Sequence, residues 1–344
     1  MLVTLRARIG REGSMPVDEY MRICAGHYWN RDETIGARGD FVTAPEISQI
    51  FGELIGLWCA AAWEAMGGPS SVDLVELGPG RGTLMSDLLR AARSVPAFAA
   101  AVRVHMVEVS PGLRVLQERT LAASGYAATW HHGIGDLPRG ASIVIANEFL
   151  DALPIRQFVF HGTWRERVIA LSADGGLKFG AGAPVEHLAP VVAYEGAIAE
   201  VRPGEELLLS GLQRREGPLA ALVMDYGPAE NALGDTFQAV RNHAYADPLS
   251  EPGQADLTAH IQFAPLAERS RAAGFAVDGP ITQAEFLGRL GLAERAARLM
   301  AANPAQAGSI EAGAQRLMSP TGMGTLFKAL ALRSPSLSPL PGFG

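Results

Sequence analysis

From residue 71 the chain alternates short apolar runs with stretches in which apolar side chains recur every three or four residues. The runs "SVDLVELG", "VRVHMVEV", "YAATWHHG" and "ASIVIANE" predict strands. Between them "RGTLMSDLLRAARSV" and "SPGLRVLQERTLAASG" predict helices, the second with Ser110 as N-cap. Strands and helices alternating at this length predict an α/β fold built on a parallel, doubly wound sheet. Upstream, residues 14–38 read as helix and then loop. "TAPEISQIFGELIGLWCAAAWEAMGG" then sets Phe51, Leu54, Ile55, Trp58, Cys59 and Ala62 at helical spacing before a Gly-Gly stop. Residues 155–182 break the rhythm and read as short antiparallel strands joined by Gly-rich turns.

The rest of the chain returns to the first pattern. "EELLLSGLQRRE" predicts a helix, "LAALVMDYG" a core strand, and "HIQFAPLAERSRAAGFAVDGP" strand, helix and strand. Residues 283–318 read as largely helical and "GTLFKALAL" as a final strand. The expected organisation is a helical N-terminal lid segment (1–70) and a doubly wound core (71–154 and 219–282). A β-rich insertion (155–218), C-terminal helices with the last strand (283–333) and a frayed Pro/Ser-rich tail (334–344) complete it.

Composition narrows the function classes. With 344 residues, 48% of them hydrophobic, the chain can bury a large core. The net charge is -7 and no Lys/Arg cluster stands out, so nucleic acid is not an expected partner. Cys24 and Cys59 make no disulfide framework and no CxxC pattern, which fits a reducing compartment. The longest apolar stretch, "LIGLWCAAAW", stops at Glu64, short of the roughly 20 residues a membrane span needs. "MLVTLRARIGREG" carries Arg but no apolar signal-peptide core. A transit-like reading stays open, and the expectation is cytoplasmic.

Candidate chemistry begins at "VDLVELGPGRGTL". An apolar strand ends in Glu76, and Gly78, Gly80 and Gly82 lead into a helix. Glycines at the carboxyl end of such a strand let the backbone approach a ligand closely. The spacing is GxGxG rather than GxGxxG, which favours S-adenosylmethionine, without a pyrophosphate to dock, over a dinucleotide. A merely tight strand-to-helix turn is the alternative. Glu108 ends the second strand, where doubly wound folds set an acid against ribose hydroxyls. Asp136 follows the third, near the expected adenine position, and a turn-forming Asp before Leu-Pro explains it equally well. His131 and His132 have no third ligand at metal spacing and read as structural, so no metal is expected.

Several long stretches then resemble one family in order: "GDFVTAPEISQIFGELIGLW", "LVELGPGRGTLMSDLLR", "VEVSPGLRVLQ", "ANEFLDALPIRQF", "RNHAYADPLSEPGQADLTAHIQF" and "MGTLFKALAL". They look like the MidA / DUF185 family of class I methyltransferases, and the likeness covers nearly all of residues 39–328. It implies a Rossmann-like methyltransferase sheet, S-adenosyl-L-methionine as cofactor and arginine methylation. In the family's mitochondrial members the implied acceptor is an arginine on a subunit of respiratory complex I. The long insertions fit recognition of a folded protein. If the cell is eukaryotic, the implied compartment is the mitochondrial matrix.

On this reading "ANEFLDALP" carries the chemistry. Amino-methylating relatives have Asn/Asp-Pro-Pro-aromatic after the fourth strand and arginine methyltransferases have a Glu. Here Asn147 matches the first pattern beside the cofactor and Glu148 the second, without the Pro-Pro. A guanidinium is a poor nucleophile because it is protonated and delocalised. A facing carboxylate binds two of its N–H groups and draws positive charge away from the attacking nitrogen. Glu148 is therefore read as the clamp and Asp151 as its neighbour, the alternative being that both cap a helical turn. Thr43 and Glu46 satisfy a Thr-x-x-Glu capping box. With Asp40 just upstream they read equally as a lid over cofactor or substrate. Asn242 and His243 could line the acceptor pocket, and His243 could take the released proton. Two rival functions remain: a methyltransferase for small molecules, and a non-catalytic cofactor-binding assembly factor.

Overall fold

The computed structural model describes residues 1–31, 36, 39–186 and 193–343. Parts of the expected loop before residue 38 and of the expected insertion around residue 190 lie outside the described residues. The apolar runs form a seven-stranded sheet. Its strands are β1 (Val72–Leu77), β2 (Val102–Val107), β3 (Ala128–His131), β4 (Ser142–Asn147), β5 (Leu219–Tyr226), β6 (Ala276–Thr282) and β7 (Phe327–Arg333). The order across the sheet is β3-β2-β1-β4-β5-β7-β6. The first five positions are parallel, and β7 runs antiparallel to both β5 and β6. Every residue of β1 and β4 is buried, which explains why these strands read as continuous apolar runs rather than alternating ones. Strand order reverses between β1 and β4, and open α/β sheets bind ligands beyond the strand ends at such a point.

Contacts divide the chain into two compact units. One, holding this sheet, comprises Val42–Leu150, Leu208–Asn231 and Ile261–Gly344. Its core includes Phe51, Trp58, Leu88, Phe98, Ile143, Leu222 and Phe286. The other comprises Met1–Phe41, Asp151–Leu207 and Ala232–His260. It contains a five-stranded sheet built on Arg156–His161 and Thr163–Leu171, and a three-stranded sheet of Gln238–Arg241, Ala244–Ala246 and Asp256–Thr258. Its core gathers Leu5, Ile9, Tyr20, Met21, Ile155, Ile169, Phe237 and Leu257.

This division departs from the expected one in three places. Residues 42–70 belong with the seven-stranded sheet, because Phe51, Leu54 and Trp58 of helix Gln49–Ala65 are buried in its core. Residues 232–260 belong with the insertion. Their strands are three or four residues long, too short for a periodic signal, and the strand expected at "HIQF" is instead Asp256–Thr258 just upstream. The tail expected to fray is packed. Leu340 is 1% exposed, Trp58 Nε1 donates to the Pro341 carbonyl at 3.1 Å, and the rings of Phe343 and Phe286 lie 5.1 Å apart. Its Pro/Ser content concealed apolar side chains that find seats in the core.

Candidate active site

Four strand ends of the seven-stranded sheet supply the candidate residues, beginning with the loop after β1. Gly78, Gly80 and Gly82 all adopt positive φ, at 61°, 52° and 80°. A Cβ on Gly78 would stand 2.6 Å from the ring of Phe149, so the glycine loop and the segment after β4 fit closely only without a side chain there. Glu76, at the end of β1, is 4% exposed. It accepts a hydrogen bond from the Met85 N–H, but its buried Oε2 has no partner. Burial pushes its carboxyl up to about 8. On the neighbouring strand β4, Asn147 Oδ1 is likewise buried and without a partner. Two orphaned acceptors on adjacent strand ends fit a ligand bearing an ammonium group, as the methionine portion of S-adenosylmethionine does.

At the end of β2, Glu108 is 7% exposed. Its Oε1 accepts from the Ser110 N–H at 2.8 Å and its Oε2 from Gln117 Nε2 at 3.1 Å. Ser110 also accepts from the Leu113 N–H at 3.3 Å, the expected N-cap. Burial raises the carboxyl above its ordinary value, while the Ser110 N–H, Gln117, the Val109 N–H and Arg114 pull the other way. Each oxygen retains lone-pair capacity for a further donor such as a hydroxyl. Asp136 is exposed and accepts from the Gly133 N–H at 3.1 Å, closing the turn Ile134–Asp136, so the turn-forming role is present.

After β4 the chain makes an unusual exit. Glu148 has φ 49°, one of three non-glycine residues at positive φ among those described. Such a backbone costs of order 1–2 kcal/mol and persists where surrounding contacts impose it. Here they do: the Glu148 N–H donates to the Met224 carbonyl at 2.8 Å, and the Leu150 N–H donates to Asp225 Oδ2 at 2.9 Å. Asp225 is fully buried on β5 and also accepts from the Tyr226 N–H at 2.9 Å. The Glu148 carboxylate accepts from the Ala44 N–H at 2.8 Å and from Asn147 Nδ2 at 3.3 Å. One of its contacts is thus with a remote helix start.

The capping box expected at Thr43 and Glu46 does not form. Thr43 is the N-cap of helix Ala44–Ile47, but its side chain makes no capping bond. Glu46 instead accepts from Thr83 Oγ1, at the start of the helix after the glycine loop, and lies 3.9 Å from Arg81 Nε. A longer-range donor outcompetes the local one. The segment 43–47 is thereby fastened at Glu46 to the glycine loop and at Ala44 to Glu148.

The remaining candidates lie in the other unit. Asp40, 5% exposed, accepts from Tyr28 Oη and from the Asn242 N–H, each at 2.9 Å. The Asp40 carbonyl accepts from the His243 N–H at 2.9 Å. Asn242 and His243 are exposed and form a two-residue hairpin turn with φ 48° and 61°, the backbone such turns require. Asp151 is 6% exposed, and its carbonyl accepts from the Ala259 N–H at 3.0 Å. The structure thus groups Asp40 with Asn242 and His243, and the glycine loop with Glu76, Glu108, Asn147, Glu148, Thr43 and Glu46. Sequence reading passed over Asp225 and Gln117. An Asp inside the apolar run "LAALVMDYG" was the available signal for the first. Among the described residues no group of three or more His, Cys, Asp or Glu side chains could hold a metal ion.

Comparison with known proteins gives the family. Residues 54–281 match a family model described as "Putative S-adenosyl-L-methionine-dependent methyltransferase". The chain belongs to that family. A Drosophila melanogaster relative, "Protein arginine methyltransferase NDUFAF7 homolog, mitochondrial", is 39% identical over 95% of this chain and 83% of its own length. The Homo sapiens protein arginine methyltransferase NDUFAF7, mitochondrial, is 34% identical over 96% and 83%. A crystal structure of a Burkholderia thailandensis protein bound to S-adenosyl-homocysteine superposes with a TM-score of 0.87 at 27% identity, covering 99% of this chain and 93% of that one. The seven-stranded sheet is therefore a class I methyltransferase sheet, and the cofactor is S-adenosylmethionine.

Glu108 supplies a direct test of the cofactor site. Glu108→Ala is expected to weaken S-adenosylmethionine by about tenfold or more, since an ionised acceptor to a hydroxyl is worth roughly 1.5–3 kcal/mol. Titration calorimetry on a variant with unchanged melting temperature measures this. Undiminished affinity would remove Glu108 from the ribose.

Proposed function

We propose that this methyltransferase acts on arginine side chains of a protein, with Glu148 as the carboxylate that holds the guanidinium. The observation that carries the reading is the Glu148 exit itself. A carboxylate at the end of β4 is held in a left-handed backbone by Met224 and Asp225, beside the orphaned acceptors Asn147 Oδ1 and Glu76 Oε2. Backbone strain maintained by buried contacts concentrates where geometry matters for function. The names of the relatives, which specify protein arginine methylation, support the same acceptor.

The cofactor supplies an electrophilic methyl group on a sulfonium. The protein's part is to bring a guanidino nitrogen into line with that methyl group and to exclude water. Two parallel N–H···O bonds to Glu148 orient the planar fork. They also leave more electron density on the third nitrogen, which forms the N–C bond and gives up a proton. The released proton passes to solvent. Asp151 is the acid to examine next if Glu148 proves dispensable. The segment 43–47 serves as a lid over the cofactor loop, its Glu46 bonded to Thr83. A respiratory complex I subunit is the protein acceptor this reading favours. The reaction then belongs in the reducing cytoplasm, or in the mitochondrial matrix of a eukaryote.

The test is incubation of the purified protein with methyl-labelled S-adenosylmethionine and lysate from its own cells lacking the gene. Label should enter protein and be recovered, after acid hydrolysis, as methylarginine. Label confined to small molecules supports the small-molecule enzyme instead. No conversion of cofactor to S-adenosylhomocysteine supports the non-catalytic assembly factor.

A further inference from the structure

Helix Pro111–Leu121 carries a glutamine, Gln117, that is fully buried. A buried amide is costly unless all its polar atoms are matched. All are matched here, and the partners are informative. Trp130 Nε1 on β3 lies 2.8 Å from Gln117 Oε1. An indole nitrogen can only donate, so the amide oxygen must face Trp130 and the amide nitrogen must face away from it. That nitrogen donates to two acceptors: the Gly80 carbonyl at 2.8 Å and Glu108 Oε2 at 3.1 Å. The same residue also packs against the glycine loop, since a Cβ on Gly82 would sit 3.4 Å from Gln117 Cα.

We infer that Gln117 is a positioning residue of the cofactor site, an amide strut that fixes the glycine loop and the Glu108 carboxylate relative to each other, with Trp130 fixing the strut. The glycine loop and Glu108 stand on different strand ends, β1 and β2, and a nucleoside ligand needs both at once. Backbone pairing ties the glycine turn to β2 only at its first residue, where the Gly78 N–H donates to the Val107 carbonyl at 3.0 Å, and leaves the place of Gly80 to be fixed by other groups. Gln117 supplies that missing restraint, with one hydrogen bond to each side. Its third bond, from Trp130, prevents the amide from flipping and presenting an acceptor to two acceptors. The inference rests on the ribose reading of Glu108. The competing account is a buried amide that contributes only to folding.

Two variants separate these accounts. Gln117→Leu keeps the bulk and removes every polar atom. Trp130→Phe leaves Gln117 in place and removes only the donor that orients it. S-adenosylhomocysteine affinity, the KM for S-adenosylmethionine, kcat and melting temperature are measured on each purified full-length protein. For Gln117→Leu, affinity should fall about tenfold or more and KM should rise by a similar factor, with kcat at saturating cofactor within about twofold of the original. For Trp130→Phe, both should move the same way by a few-fold. A role in folding alone predicts a lower melting temperature and a smaller active fraction with KM unchanged, and that result overturns the inference. If Gln117→Leu does not fold, unchanged affinity in Trp130→Phe overturns it equally. Failure of the ribose reading has a different signature: Glu108→Ala binds normally while Gln117→Leu still binds weakly.

Discussion

Glu148→Gln is expected to lower methyl transfer to a protein arginine by about a hundredfold while leaving melting temperature and S-adenosylhomocysteine affinity almost unchanged. The structure makes this a sharp comparison. Glu148 has a structural partner, because its Oε1 accepts from the Ala44 N–H at 2.8 Å. The glutamine carbonyl can accept that same bond, so the helix start at Ala44 keeps its partner. What disappears is the negative charge and one of the two acceptors a guanidinium fork would use. Charge-assisted bonds of this kind are worth roughly 1.5–3 kcal/mol, and the upper figure corresponds to about a hundredfold in rate. If Glu148 only caps the helix at Ala44, the pattern reverses, with a lower melting temperature and a normal rate per folded molecule. A normal rate with labelled arginine in the product would end the clamp assignment.

Gly80→Val should abolish measurable cofactor binding, a loss of more than about a hundredfold, in a protein that still folds. Gly80 has φ 52°, where a β-branched residue is a severe outlier. The strain of roughly 1–2 kcal/mol is paired with displacement of the loop, whose Gly80 carbonyl is held by Gln117. A bulky side chain would also stand where the backbone must approach its ligand. The variant is expected to fold, because Gly80 lies beyond the end of β1 at Leu77 and is no part of a strand. Calorimetry against S-adenosylhomocysteine, with circular dichroism to establish folding, measures both. Normal binding would mean that these glycines serve a turn and nothing more.

Much of this architecture was readable from apolar periodicity, and the reasons for the exceptions are specific. Strands β1 and β4 are buried throughout and β2 at all but one position, so their composition marks them, and their ends locate Glu76, Glu108 and Glu148. The strands between 238 and 258 are too short to carry a period, so that segment read as part of the sheet core. Thr43 and Glu46 met the spacing of a capping box, yet Glu46 is bonded to Thr83, a partner no local pattern reveals. Gln117 sat among the polar residues of an ordinary amphipathic helix. Its significance depends on Trp130 and Gly80, which are remote in sequence and meet it only once the sheet has formed.

The position of β7 also has a consequence for how a ribosome-bound chain can fold. In the sheet order β6 has a single neighbour, β7, and β7 lies between it and β5. Until residues 327–333 emerge, β6 has no strand to pair with and the outer edge of β5 stays open. Open edges are templates for pairing with other chains, and non-local pairings form slowly. The nascent protein must therefore pass through a stage with an exposed β5 edge while the helices between 283 and 326 are still being made. During that interval its need for chaperone cover should be greatest, and a released chain cut before residue 327 should aggregate more than one cut after residue 333.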